Sequence, residues 1–90
     1  MAGGVEGLSI YGYPQCPYCQ RVLRAVDALG LDIELRNTLR SSECRAELYQ
    51  ATGRMTVPVL RIDAGQGQFD WLPESAAILD YLEDRFRKPS

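Results

Sequence analysis

The chain contains no histidine, which removes the commonest general base and the imidazole metal ligand together. It has only three cysteines, so Cys44 alone remains beside the closely spaced Cys16 and Cys19. A four-ligand zinc site needs a second cysteine pair or histidines. The composition therefore excludes histidine-based catalytic triads and Cys/His zinc sites, and an odd cysteine count does not suit the disulfide framework of a small secreted domain.

Long apolar runs are also missing, and the longest are far short of the roughly 20 residues that span a bilayer. The segment 1–6 lacks the basic stretch followed by an apolar one that begins an export signal. Ten basic and twelve acidic residues give a net charge of -2, too balanced for a nucleic-acid footprint or a polybasic membrane patch. We expect a soluble, unexported, cytoplasmic protein.

The length of 90 residues allows one domain with a modest core. The N-terminal segment 1–7 is rich in glycine, and we expect it to be disordered. Residues 8–87 then form the domain, and residues 88–90 form a tail.

Apolar periodicity and turn residues predict seven elements in the order β-α-β-α-β-β-α. The predicted strands cover 8–13, 32–37, 57–62 and 68–72, and the predicted helices cover 17–29, 42–52 and 74–87. The crossover helix between the first two strands implies that they are parallel with a right-handed connection, whereas the later hairpin adds antiparallel strands. The pattern therefore predicts an α/β domain with a four-stranded mixed sheet and helices packed on it.

The segment Cys16-Pro17-Tyr18-Cys19 has the features of a redox-active cysteine pair at the start of a helix. At the N-cap, the thiolate of Cys16 is stabilised by free backbone N–H groups and by the helix dipole. Cys19 is three residues further on, close to the same helix face, so it is the predicted resolving thiol. An alternative role for Cys16 remains open: it could ligate an iron–sulfur cluster shared between two chains, each giving one thiolate.

Two segments carry a resemblance to the glutaredoxin family: Tyr11-Gly12-Tyr13-Pro14-Gln15-Cys16-Pro17-Tyr18-Cys19 and, further along, Thr56-Val57-Pro58. The resemblance implies a thioredoxin-like fold with helices on both sheet faces and a cis peptide before Pro58. It also implies reduction of protein disulfides and protein–glutathione mixed disulfides by a dithiol mechanism, with Cys16 and Cys19 catalytic.

The resemblance also implies a glutathione site. The backbone of Val57, with Thr56 beside it, would hold the tripeptide through its N–H and C=O groups. The start of the last helix at Glu74-Ser75 would receive the γ-glutamyl carboxylate, because free N–H groups there bind anions. Arg45 stands near the position where the family often carries a residue close to the glycine carboxylate, and Tyr18 is expected to line the cleft.

The chain departs from the glutaredoxin pattern at two places. Tyr13 replaces the basic residue that usually precedes the first cysteine by three positions, so that Tyr13 takes this place beside glutathione and the helix dipole becomes the main support of the thiolate. The segment Leu72-Pro73-Glu74-Ser75-Ala76-Ala77-Ile78 instead resembles the N-terminal domain of glutathione transferases.

The sequence thus predicts a glutathione-dependent thiol-disulfide oxidoreductase. Its co-substrate is glutathione, its partners are disulfide-bonded or glutathionylated proteins, and we expect a monomer without a tightly bound cofactor or metal. One alternative is a glutathione-binding module of the transferase type, and another is a non-enzymatic carrier of an iron–sulfur cluster.

Overall fold

The computed structural model describes residues 3–86 of the chain. Four strands and three helices follow one another in the predicted order: β1 (Gly3–Gly12), α1 (Pro17–Ala28), β2 (Leu31–Asn37), α2 (Ser42–Thr52), β3 (Val59–Gly65), β4 (Gln68–Pro73) and α3 (Ser75–Phe86). None of the helices among these residues is long and apolar enough to cross a membrane.

The strands form one mixed sheet in the order β2-β1-β3-β4. β1 is parallel to β2 and antiparallel to β3, and β3 and β4 form the antiparallel hairpin. The sheet is therefore the four-stranded mixed sheet predicted from the sequence.

Helices cover both faces of this sheet. On one face α1 and α3 enclose the larger core, which contains Leu8, Ile10, Val22, Val26, Ile33, Leu60, Ile78 and Leu82. On the other face α2 covers a smaller cluster of Tyr11, Cys44, Leu48 and Val59. Side chains alternate along β1, so the neighbours Ile10 and Tyr11 face opposite layers. The thioredoxin-like architecture implied by the resemblance is confirmed.

Several boundaries differ from those predicted. β1 begins at Gly3, so residues 3–7, expected to be disordered, form part of the strand, whereas residues 1–2 and the tail 88–90 lie outside the described residues. β3 begins at Val59, because Pro58 has no N–H to donate to a ladder. It continues to Gly65 because the hairpin turns within Gln66 and Gly67 alone.

The helix ends follow local chemistry. Ser41 caps α2 by accepting the backbone N–H of Cys44 at 3.2 Å, and α2 ends at Gly53, whose φ of 71° is left-handed. α3 begins at Ser75 instead of Glu74, because Glu74 has a non-helical φ of 73°. The predicted last helical residue, Arg87, lies outside the described residues.

A polar network connects α2 to the sheet beneath it. The hydroxyl of the buried Tyr11 donates to Oε1 of Glu47 at 2.9 Å, and Nη2 of Arg36 donates to the same oxygen at 2.8 Å. Arg61 of β3 donates to the Tyr11 hydroxyl at 3.1 Å. Three strands and one helix therefore meet at one tyrosine, which fixes α2 on its face of the sheet.

Candidate functional site

Cys16 is the N-cap residue of α1. Its φ of -81° and ψ of 125° are extended, Pro17 begins the helix, and the Cys16 carbonyl accepts the N–H of Gln20 at 2.9 Å. Pro17 suits this position because an N–H there has no intrahelical acceptor. The first turn therefore presents its remaining free N–H groups toward the sulfur of Cys16.

The thiol of Cys16 is buried but electrostatically favoured as a thiolate. Burial opposes ionisation, yet hydrogen bonds from the Cys19 backbone N–H, the Cys19 thiol and the Tyr18 backbone N–H outweigh it. The pKa of Cys16 is therefore lowered from its ordinary value. The Cys16 thiolate is therefore stabilised by the start of α1 and by Cys19. No basic residue takes part at position 13, where this chain has Tyr13.

Cys19 differs from Cys16 in environment. Its side chain is fully buried, and burial raises the pKa of Cys19 to about 11 despite the opposing hydrogen bond from the Tyr13 backbone N–H. Both cysteines are free thiols in this structure. The pair therefore consists of one thiol poised to ionise and one that remains protonated at neutral pH.

A groove of about 420 Å³ lies beside the cysteine pair. It is lined by Tyr18, Arg54, Thr56, Val57, Pro58, Pro73, Glu74, Ser75 and Ala76. The volume lies within the range of small-ligand sites. Three separate parts of the chain therefore form one concave surface: the first turn of α1, the connection from α2 to β3, and the start of α3.

The groove adjoins the cysteines although neither of them lines it. Tyr18 lines the groove and donates its backbone N–H to Cys16. Gly12 lies between Cys19 and Val57: a Cβ on this glycine would stand 2.5 Å from Sγ of Cys19 and 3.8 Å from Cβ of Val57. A ligand in the groove is thus next to the N-terminus of α1.

Val57 lines this groove, and its backbone polar groups are unpaired among the described residues. The peptide bond between Val57 and Pro58 is cis, as the resemblance implies. Val57 precedes the start of β3, and its backbone N–H and C=O form no hydrogen bond with another residue in the range 3–86. Such groups are ready to pair with an extended peptide.

The start of α3 forms the third side of the groove. Glu74 precedes the helix and its carbonyl accepts the N–H of Ile78 at 3.1 Å, which leaves the first-turn N–H groups of the helix free. Such an end binds anions. Glu74 itself has a left-handed φ of 73°, a conformation that costs a residue other than glycine roughly 1–2 kcal/mol.

Besides the two cysteines, Tyr13 and Arg45 were assigned to the site from the sequence and do not line the groove. The carbonyl of Tyr13 accepts the N–H of Cys16 at 3.2 Å, so its backbone shapes the cysteine loop. The guanidinium of Arg45 donates to the carbonyls of Thr38 and Leu39 at 3.2 and 3.4 Å. The groove therefore gives no support to the predicted contacts of Tyr13 and Arg45 with glutathione.

Arg54 lines the groove and was missed by the sequence analysis. It lies outside both segments that carry the resemblance. The sequence signal that could have identified Arg54 is its position between Gly53, which ends α2, and Thr56. The connection there is short, so Arg54 must lie close to the Thr-Val-Pro segment. No cluster of three or more cysteine and carboxylate side chains suited to a metal ion occurs in the described part of the chain.

Comparison with known proteins identifies the family of this chain. The family model described as "Glutathione S-transferase, N-terminal domain" matches residues 10–90. A search of curated proteins gave no match.

Solved structures that resemble this chain include glutathione transferases and a related isomerase. A maleylacetoacetate isomerase from Anaeromyxobacter dehalogenans, with bound GSH in its active site, is 27% identical over 93% of this chain and 39% of its own, with a TM-score of 0.68. A delta-class glutathione transferase from Nilaparvata lugens is 31% identical over 91% of this chain and 37% of its own, also with a TM-score of 0.68. A glutathione transferase homolog from Drosophila mojavensis with bound glutathione has a TM-score of 0.73 at 23% identity, covers 91% of this chain and 36% of its own, and supports the fold alone.

The chain spans at most 39% of the length of these three proteins. The glutaredoxin assignment is not supported, because the matching family model and these structural neighbours belong to transferase-type proteins. The resemblance of residues 72–78 to transferases was the more accurate indication. The chain belongs to the family of glutathione S-transferase N-terminal domains.

Proposed function

We propose that this chain binds glutathione in the groove and that Cys16 exchanges thiols with it. The observation that carries the proposal is that Val57, whose backbone N–H and C=O are unpaired among the described residues, lines a groove that also contains the start of α3. An extended peptide pairs with such groups through its own backbone. The bound GSH in the isomerase supports the choice of tripeptide.

In this proposal, different parts of the groove bind the cysteinyl and the γ-glutamyl residues of the tripeptide. The cysteinyl residue pairs with Val57, which brings its sulfur toward the N-terminus of α1. The γ-glutamyl carboxylate binds the free N–H groups at Ser75, and its ammonium group pairs with the carboxylate of Glu74. Tyr18 and Thr56 close the sides around the cysteinyl residue.

The chemical step is thiol-disulfide exchange at Cys16. The Cys16 thiolate attacks the glutathionyl sulfur of a protein–glutathione mixed disulfide, a sulfur–sulfur bond forms, and the protein thiolate leaves and takes up a proton. A second glutathione thiolate then attacks the same glutathionyl sulfur. Oxidised glutathione is released and Cys16 returns as a thiolate, so one free glutathione is consumed for each protein thiol restored and joins the glutathionyl group taken from the protein.

Cys19 is less suited to the second step than glutathione. Its pKa of about 11 keeps it protonated at neutral pH, and its side chain is fully buried. Resolution by glutathione therefore competes well with the dithiol route, in which Cys19 closes a disulfide on Cys16 and releases glutathione. In either route Cys19 supports Cys16 by donating a hydrogen bond to it.

The test is reduction of a glutathione mixed disulfide, coupled to glutathione reductase and NADPH. We expect turnover by the wild-type chain, its loss in Cys16→Ser and its retention in Cys19→Ser. Absence of glutathione-dependent turnover in the folded wild-type chain contradicts the exchange reaction. Calorimetric titration with S-methylglutathione, which has no free thiol, tests binding separately from chemistry.

A second candidate is conjugation of glutathione to an electrophile, which the names of the transferase relatives favour. In that reaction the glutathione thiolate adds to the acceptor and Cys16 forms no bond. Turnover of an electrophilic aromatic acceptor that persists in Cys16→Ser, with no mixed-disulfide reduction, supports conjugation. Since the chain covers at most 39% of these relatives, their whole activities do not transfer with the fold.

A further inference from the structure

We infer that Gln20 is a positioning residue for the exchange reaction: its side chain holds the cysteine loop, residues 13–16, in the conformation that keeps Cys16 at the N-terminus of α1. The inference rests on the proposed function for its effect on turnover. Gln20 lies one residue after Cys19 and does not line the groove. Its role therefore differs from that of the residues that bind the ligand.

The cysteine loop has little packing to hold it. It connects the end of β1 at Gly12 to the start of α1 at Pro17. Pro14 and Gln15, its two central residues, are exposed. A segment with few buried apolar contacts opens easily, so hydrogen bonds decide how well this loop keeps one conformation.

Gln20 binds this loop from the helix at two points. Nε2 of Gln20 donates to the carbonyl of Pro14 at 2.9 Å. The backbone N–H of Gln20 donates to the carbonyl of Cys16, also at 2.9 Å. One residue of α1 therefore contacts both the middle and the end of the loop.

The loop in turn contacts both cysteines of the pair. The carbonyl of Tyr13 accepts the N–H of Cys16 at 3.2 Å, and the N–H of Tyr13 donates to the sulfur of Cys19. The first of these bonds restrains the φ of Cys16, which is -81° and sets the direction of its side chain relative to α1. A loop that moves away from α1 therefore takes the Cys16 sulfur away from the N–H groups of the first turn.

Gln20 does not act on the Cys16 sulfur directly. The groups that favour the thiolate are the Cys19 thiol and the backbone N–H groups of Cys19 and Tyr18. No charged side chain of the described residues is among them, and Gln20 is neutral. An effect of Gln20 on the ionisation of Cys16 must therefore pass through the position of the loop.

Gln15 provides the matched control. It is a glutamine of the loop itself, it is exposed, and its side chain forms no hydrogen bond with residues in the range 3–86. Gln20→Met and Gln15→Met remove the same amide group, and methionine keeps the side-chain length and a similar helix propensity. Only the first variant removes the donor to Pro14.

Alkylation and turnover of the full chain test the assignment. Iodoacetamide pulses with mass spectrometry give the pH midpoint of Cys16 alkylation, and the coupled assay gives kcat/KM for a glutathione mixed disulfide. In Gln20→Met we expect the midpoint to rise by about 0.5–1 in pH and kcat/KM at neutral pH to fall about three- to tenfold, the factor that the loss of one hydrogen bond produces. The difference in kcat/KM should shrink at a pH above both midpoints. Binding of S-methylglutathione should be unchanged, and Gln15→Met should match the wild type in all three measurements.

The outcomes separate this assignment from the proposed function. If the wild type reduces no mixed disulfide, the exchange reaction is wrong, and the alkylation midpoints still decide whether Gln20 positions Cys16. If Gln20→Met keeps the wild-type midpoint, the assignment is overturned, even where urea denaturation shows a loss of stability. An equal shift in Gln15→Met also contradicts it, as does a loss confined to the binding of S-methylglutathione.

Discussion

Sγ of Cys19 occupies the space in which a side chain on Gly12 would begin. A Cβ on Gly12 would stand 2.5 Å from this sulfur, closer than real Cβ contacts, and 3.6 Å from Cβ of Cys19. Gly12 ends β1, and its carbonyl accepts the N–H of Thr38 at 3.0 Å, so it has little freedom to retreat. Glycine is required here by the close approach of strand and helix.

The first prediction concerns this contact. Gly12→Ala should lower the free energy of unfolding by about 1–3 kcal/mol, the usual cost of an added group in a packed interior. Cys19→Ala removes the sulfur that the new methyl group would meet. The double variant should therefore be more stable than the sum of the two single losses indicates. Urea denaturation of the four proteins measures the coupling, and strict additivity contradicts the proposed clash.

The sequence predicted the elements well because their patterns are local. The apolar stripes of α1 and α3, the cap at Ser41 and the left-handed Gly53 are each set by residues within a few positions of one another. The cysteine motif and the Val57-Pro58 segment were recognisable because each is a short, continuous stretch of sequence that resembles a known family. The contact between Gly12 and Cys19 depends on how β1 packs against α1, which no local pattern contains.

The candidate site shows the same limit. Arg45 was chosen by its position relative to the glutaredoxin pattern, but sequence position does not show that its guanidinium donates to carbonyls of the turn before α2. Arg54 enters the groove because α2 ends at Gly53 and the chain turns there. The glutaredoxin assignment relied on a cysteine motif that is compatible with more than one family of this fold, whereas Leu72–Ile78 carried the transferase character.

The second prediction concerns the reactivity of Cys16. Its lowered pKa means that alkylation should reach half its maximal rate below the ordinary thiol pKa of roughly 8.5. Cys19→Ala removes one hydrogen-bond donor to the thiolate, so the midpoint should move to higher pH. Cys19→Ser keeps a donor and should stay closer to the wild type. Mass spectrometry after iodoacetamide pulses resolves Cys16 from Cys44, and an unchanged midpoint in Cys19→Ala excludes the supporting role.

The third prediction concerns acid stability. Hydrogen bonds from Arg36 hold the pKa of Glu47 below its ordinary value, against the effect of burial. A carboxyl with a lowered folded-state pKa stabilises the fold above its unfolded-state pKa, roughly 4.3, and this contribution is lost as the pH falls through the folded value. Glu47→Gln should therefore be less stable than the wild type at neutral pH, and the difference should shrink as the pH falls below about 4.

Denaturation midpoints at neutral and acid pH measure this change. The matched control is Asp32→Asn, which also removes one negative charge but from a carboxylate without a hydrogen bond or ion pair to residues in the range 3–86. A difference between Glu47→Gln and the wild type that stays constant with pH contradicts a contribution from the charged form of Glu47.

The last prediction separates stability from binding at Glu74. Glycine adopts the left-handed φ of 73° without the cost paid by a side chain, which offsets its larger entropy in the unfolded chain. Glu74→Gly should therefore match or exceed the thermal stability of the wild type, by up to about 1 kcal/mol. Glu74→Gln keeps the strained backbone and should not gain stability.

Both variants remove the carboxylate that is proposed to hold the γ-glutamyl ammonium group. We expect each to bind S-methylglutathione about tenfold less tightly, since a charged hydrogen bond is lost. Thermal unfolding and calorimetric titration of the same samples check the two effects. A glycine variant that is more stable and still binds at the wild-type affinity would show that Glu74 takes its strained backbone for a reason other than glutathione.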